Sequence, residues 1–65
     1  MTNEEAKKAF QQRIPIQYDG HTYTRINAIV YKLDTKDNLL ISAELLDKNN
    51  NCVVVARVKD ITEVN

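Results

Sequence analysis

The sequence predicts a mainly β (α+β) protein, in which a short N-terminal helix precedes a five-strand antiparallel meander that closes into a small barrel. Two observations predict this fold. A helix-start motif and a helical apolar spacing occur once, near the N-terminus, and short β-rich runs separated by polar turns follow. At 65 residues the chain has room for a single domain over 1–65, with the helix over 2–13 and the barrel over 15–64. An open antiparallel sheet with the helix packed on one face is the alternative.

The predicted helix begins at a capping box, because Thr2 is followed three residues later by Glu5. Pro15 disfavours helical geometry at the residue before it, so the helix should end near residues 12–13. Phe10 is expected to be the main anchor of the helix on the sheet. The apolar face has four members at spacings of three and four: Ala6, Ala9, Phe10 and Ile14.

The dipeptide Asp19-Gly20 predicts a hairpin. The favoured two-residue turn needs positive φ at both central positions, which Gly adopts freely and Asp tolerates. Residues 15–18 should therefore pair with residues 21–24.

The second strand should be long and bent. The strand-like sequence continues to Leu33, and along it the apolar residues shift from one face of the strand to the other. A bulge near residues 28–29 would explain this shift. Strands over 39–46 and 52–58 follow, and after an interruption at residues 59–60 the last residues, 61–64, are interpreted as a single helical turn leading into a short closing strand. Closure into a small SH3-like barrel would remove exposed strand edges. The residues expected to point inward from the third strand are Leu39, Ile41, Ala43 and Leu45.

Catalytic, metal and cofactor sites are not expected. Cys52 has no partner for an intrachain disulfide and is interpreted as a packed small residue, and His21, the single histidine, is interpreted as a solvated hairpin residue. The single Gly20 cannot form a phosphate-binding loop. The protein is therefore expected not to be an enzyme.

Charge and hydropathy bear on partners and location. Nine basic residues balance nine acidic ones, so the overall basic field typical of nucleic-acid-binding proteins is missing. No apolar run approaches the ~20 residues that span a bilayer, and the N-terminus does not resemble a signal peptide. We expect a cytoplasmic protein without membrane contact.

Two groups of residues are candidates for binding a partner. Tyrosine rings and neighbouring cations on the strands could stack bases or anchor a protein interface; this first group is Tyr18, Tyr23, Arg25, Arg57 and Lys59. Tyr23 and Tyr31 are equally explained as core-filling residues with their hydroxyls at the rim. The second group forms an apolar strip opposite the inward set, as either an exposed interface or the surface covered by the helix; it is Leu40, Leu46, Val53 and Val55.

The segments Phe10–Ile16, Asp19-Gly20 and Lys59–Val64 resemble the layout of bacterial Sm-like proteins. That resemblance implies a short helix, a five-strand barrel and RNA-binding rings. Arg13, Pro15 and Gly20 fall where that family commonly has such residues.

The segments Tyr18-Asp19-Gly20 and Glu44–Lys48 are similar to those of small uncharacterised proteins encoded in prophages and mobile elements of low-GC Gram-positive bacteria. This similarity implies a genomic setting and a fold, without an activity. From the residues themselves, we expect a small non-enzymatic binding module that contacts an unknown protein partner and can form a homo-oligomer. Single-stranded nucleic-acid binding, of Sm-like or SH3-like type, is the alternative.

Overall fold

A computed structural model describes residues 1–49 and 53–64 of the protein. The described residues form one helix, six strands and a 3-10 turn at Val58–Asp60. The helix, α1, and the six strands are α1 (Asn3–Gln12), β1 (Ile16–Tyr18), β2 (His21–Tyr23), β3 (Arg25–Leu33), β4 (Leu39–Leu46), β5 (Val53–Arg57) and β6 (Thr62–Glu63). The mainly β, α+β class is therefore confirmed. The interpretation of Cys52 as a packed residue lies outside the described residues.

The N-terminal cap of α1 is the predicted capping box, and the helix ends at Gln12, close to the predicted end. The Thr2 hydroxyl accepts a hydrogen bond from the Glu5 N–H (3.1 Å), and Glu5 Oε1 accepts one from the Thr2 N–H (2.8 Å). The Thr2 N–H, and after it the Thr2 hydroxyl, lower the pKa of the Glu5 carboxyl by stabilising its charged form. At the other end Arg13 adopts a left-handed conformation (φ 55°) and donates its N–H to the Ala9 carbonyl. Local sequence thus determines both ends of the helix.

The contact of α1 with the rest of the protein is made by small residues. Ala6 and Ala9 are completely buried, whereas Phe10 is 41% exposed. The expectation that Phe10 anchors the helix is wrong. Two alanines at a spacing of three allow the helix backbone to approach the sheet closely, which leaves the larger ring at the margin of the contact.

The predicted hairpin is confirmed. β1 pairs with β2 in antiparallel register, with Tyr18 opposite His21 and Ile16 opposite Tyr23. Asp19 and Gly20 take positive φ values of 52° and 77°. Positive φ at both central positions is the geometry that matches the right-handed twist of the two strands.

The strands form two three-stranded antiparallel sheets, in the orders β2-β1-β6 and β3-β4-β5. The expected second strand is divided at Thr24, so that β2 lies in one sheet and β3 in the other. A register shift between Ile26 and Ala28 marks a bulge, close to the position expected for it. The two parts of the expected long strand, β2 and β3, therefore belong to two different sheets.

The predicted closed barrel is wrong, as is the count of five strands. β6 is two residues long and pairs with β1, and in the described part of the chain no ladder joins it to β5. The 3-10 turn at Val58–Asp60 separates β5 from β6, and the ladder between β4 and β5 ends just before it, at Arg57. The strands therefore do not form a closed ring of hydrogen-bonded pairs, and both sheets keep unpaired edge strands.

The register of the larger sheet defines two faces, since cross-strand partners lie on the same side. The inner face carries the core residues Ile26, Ala43, Leu45 and Ala56. Leu39 lies on this face, as expected, but it is not buried there, because it is 57% exposed. The Asn3 end of α1 contacts Tyr31, whose hydroxyl donates to Asn3 Oδ1 (3.0 Å). Leu33 and Leu39, which pair beyond that point, are left uncovered.

The turn between β3 and β4 is organised by one carboxylate. Asp34 Oδ1 accepts hydrogen bonds from the backbone N–H groups of Asn38 (2.9 Å) and Lys36 (2.8 Å). These donors, Asn38 first, lower the pKa of Asp34 below its usual range. A carboxyl whose pKa is lower in the folded than in the unfolded chain stabilises the fold above the unfolded pKa of about 3.9.

We expect this contribution to disappear as the pH falls through the folded pKa of Asp34, because protonation weakens both bonds. Urea denaturation at pH 7 and at pH 3 measures it. Asp34→Asn, which keeps an acceptor oxygen but removes the charge, should lose less stability between the two pH values than the wild type. Asp37→Asn is the matched control, since Asp37 lies in the same turn and its carboxylate makes no hydrogen bond within the described residues. An equal effect of the two substitutions would contradict the assignment.

Candidate functional site

The outer face of the larger sheet, opposite α1, carries the predicted apolar strip in part. Val53 and Val55 are 53% and 63% exposed, and Leu40 is half-buried. The placement of Leu46 at an exposed interface is wrong, because Leu46 is only 7% exposed. Thr24, where the chain crosses between the sheets, donates its N–H to the Leu46 carbonyl (2.8 Å) at this end of β4. The exposed part of the strip is therefore on β5.

β5 is also a sheet edge. It pairs with β4 on one side, with Glu44 opposite Val55 and Leu46 opposite Val53. Within residues 1–49 and 53–64 no strand pairs with its other side. The strand thus presents backbone hydrogen-bonding groups and two apolar side chains at the same place.

The five residues predicted to bind a partner do not form one site. Tyr18 and Tyr23 lie on β1 and β2, half-buried and packed against the core, as the core-filling interpretation of Tyr23 expects. Arg25 opens β3, in the other sheet. Arg57 and Lys59 are exposed and line a shallow hollow of about 210 Å³ with an apolar floor that includes Ile41 and Val58. The structure therefore separates these residues into three places.

A groove between α1 and β3 is the feature that sequence reasoning missed. It consists of two adjoining hollows of about 280 and 510 Å³, which share Phe10, Gln11 and Asn27. α1 runs antiparallel to β3, with Asn3 beside Tyr31 and Arg13 beside Arg25 at the two ends. The signal available in the sequence was the pair of alanines at positions 6 and 9, which predicts a close helix contact and hence an exposed Phe10 beside it.

The groove has cations and aromatic rings in its walls. Lys7, Arg13 and Arg25 line it, together with the partly exposed rings of Phe10 and Tyr31. None of the chain's nine acidic residues is among its lining residues. Glu44 approaches it only by accepting a hydrogen bond from the Asn27 side chain (3.2 Å). The groove is therefore electropositive in an otherwise neutral protein.

Neither the histidine nor the acidic side chains of the described residues form a metal-binding group. His21 is exposed at the start of β2, beside the hairpin turn. Over the described ranges there is no group of three or more His, Cys, Asp or Glu side chains placed to hold a metal ion. The helix that these ranges contain, α1, is too short and too polar to cross a bilayer.

Comparison of the chain with protein-family models, with curated proteins and with solved structures finds no match. Any function therefore has to be argued from the geometry of the β5 edge and of the α1–β3 groove.

Proposed function

We propose that the protein is a small non-enzymatic binding module that acts through protein–protein contacts and associates with a second copy of itself along β5. The observation that supports this proposal is the exposure of Val53 (53%) and Val55 (63%) on an edge strand. Apolar side chains and unpaired backbone groups on one strand make contact with a further strand favourable.

The sequence of β5 suits a two-fold antiparallel pairing centred on Val55. In that register Val55 of one copy faces Val55 of the other, and each Arg57 faces Val53 of its partner. The two arginines then lie on opposite sides of the axis, so no like charges are directly opposed. The result is a continuous six-stranded sheet made of β3, β4 and β5 from each copy.

The test of this proposal is the substitution Val55→Lys, which places two lysines opposite each other at the axis. We expect light scattering at increasing protein concentration to show a dimer for the wild type and a monomer for the variant. The fold should be retained, because in the monomer the new lysine lies opposite Glu44 on β4. Circular dichroism of the variant checks this.

Leu33→Lys is the matched control, because Leu33 is 65% exposed, close to the 63% of Val55, but lies on β3. It should leave the dimer intact. A wild-type protein that stays monomeric at every concentration would contradict the proposal, and so would equal dissociation by both substitutions.

The alternative of single-stranded nucleic-acid binding through the tyrosine and cation group receives less support, since Tyr18, Tyr23, Arg25, Arg57 and Lys59 lie in three separate places. The similarity to prophage and mobile-element proteins adds a genomic setting to the proposal and no activity.

A further inference from the structure

The groove between α1 and β3 runs along the free edge of β3. The lining residues from this strand include the consecutive positions 25–29. Successive side chains of a strand point to opposite faces, so a surface that touches every position in turn lies at the strand's edge. β3 is the outermost strand of its sheet and pairs only with β4 within the described chain.

The backbone along this edge has no partner in the described structure. The backbone hydrogen bonds outside helices and ladders leave residues 25–33 without a bond on that side. About half of the N–H and C=O groups of an antiparallel edge strand point outward, where another extended chain can bond to them. The groove therefore offers a row of donors and acceptors along its floor.

The walls of the groove determine what kind of chain fits. α1 flanks the edge, so a second folded sheet would meet the helix, whereas a single extended segment has room beside it. Lys7, Arg13 and Arg25 are spread along the groove, and no carboxylate lines it. Phe10 and Tyr31 supply apolar contact area, and the hydrogen bond from Tyr31 to Asn3 (3.0 Å) holds that ring in place.

We propose that this groove binds an extended acidic peptide segment of a partner protein, which adds to β3 as a further strand while its carboxylates meet Lys7, Arg13 and Arg25. Main-chain bonds to an edge strand give affinity in this mode, and the wall side chains give specificity. The inference rests on the proposed function as a binding module and names the chemistry of its partner. It concerns β3, whereas self-association concerns β5, so either can fail while the other holds.

The test is fluorescence anisotropy with a labelled peptide of roughly eight residues that alternates Glu and Val, long enough to follow the edge. We expect saturable binding that weakens with added salt. The same peptide with Lys in place of Glu should not bind. A version methylated on alternate backbone nitrogens, which removes main-chain donors and keeps the charge, should bind markedly more weakly.

The matched variants are Lys7→Gln and Lys8→Gln, neighbours on α1 of which only Lys7 lines the groove. Lys7→Gln and Arg25→Gln should each weaken binding about two- to five-fold, because an exposed ion pair usually contributes about that much to affinity. Lys8→Gln should leave it unchanged. None of the three substituted positions is on β5, so the oligomeric state should not change.

Three results would overturn the inference. An equal loss of peptide affinity with Lys7→Gln and Lys8→Gln would mean that the peptide is attracted by the overall positive charge of α1 and not by the groove. Undiminished binding of the N-methylated peptide would exclude strand addition. Binding of a single-stranded oligothymidylate of about eight nucleotides, with no binding of the acidic peptide, would assign the groove to nucleic acid instead.

Discussion

Replacing Leu45 with alanine is expected to remove a large part of the protein's free energy of unfolding. Leu45 is completely buried in the core. Its cross-strand partners are Ile26 on β3 and Val54 on β5. Leu→Ala at such a position costs about 2–5 kcal/mol, from lost apolar burial and from the cavity left behind. Small domains usually have total stabilities near the lower end of about 5–15 kcal/mol. Far-UV circular dichroism with urea titration measures the loss.

Leu39→Ala is the control for this prediction, because it makes the same change on the same strand and the same face. Leu39 is 57% exposed, so the truncation removes little buried surface and should alter the free energy of unfolding by no more than about 0.5 kcal/mol. If both substitutions destabilise equally, the assignment of Leu39 to the uncovered end of the sheet is wrong.

Replacing Ala6 with leucine should also destabilise the fold strongly, by forcing α1 away from the sheet. Ala6 is completely buried, and leucine favours helix about as well as alanine, so the cost comes from packing alone. Overfilled sites typically lose about 1–3 kcal/mol. In a domain of this size that lowers the melting temperature by roughly 4–8 °C per kcal/mol.

Lys8→Leu adds the same side chain to the exposed side of the same helix and should leave the melting temperature nearly unchanged. A cost for Lys8→Leu as large as that for Ala6→Leu would mean that the effect arises from added surface hydrophobicity. A stability gain from Ala6→Leu would mean that space exists between helix and sheet, contrary to the close contact described above.

The two candidate surfaces were not equally visible in the sequence. Val53 and Val55 were named as members of an apolar strip that was either an exposed interface or covered by the helix, and both are exposed. The α1–β3 groove was not predicted, although Arg25 was among the candidate residues. Its walls come from a helix and a strand that are separate in sequence, and alternation along one strand does not indicate what lies beside its edge.

The errors at Phe10, Leu39 and Leu46 share one physical cause. Periodicity assigns a residue to a face of its own element, but burial depends on whether another element covers that part of the face. Phe10 and Leu39 belong to apolar faces that extend beyond their contact partners. Leu46 is on the outer face by its register with Val53 and is nevertheless only 7% exposed.

The sequence by itself determined the features that depend on neighbouring residues. These are the capped helix after Thr2 and the turn at Asp19-Gly20. Each depends on φ preferences and hydrogen bonds within a few residues. Tertiary structure alone decided that the strands form two open sheets and that α1 lies beside a free edge. Those outcomes depend on pairing between distant segments and on how closely Ala6 and Ala9 let the helix approach, which no local pattern specifies.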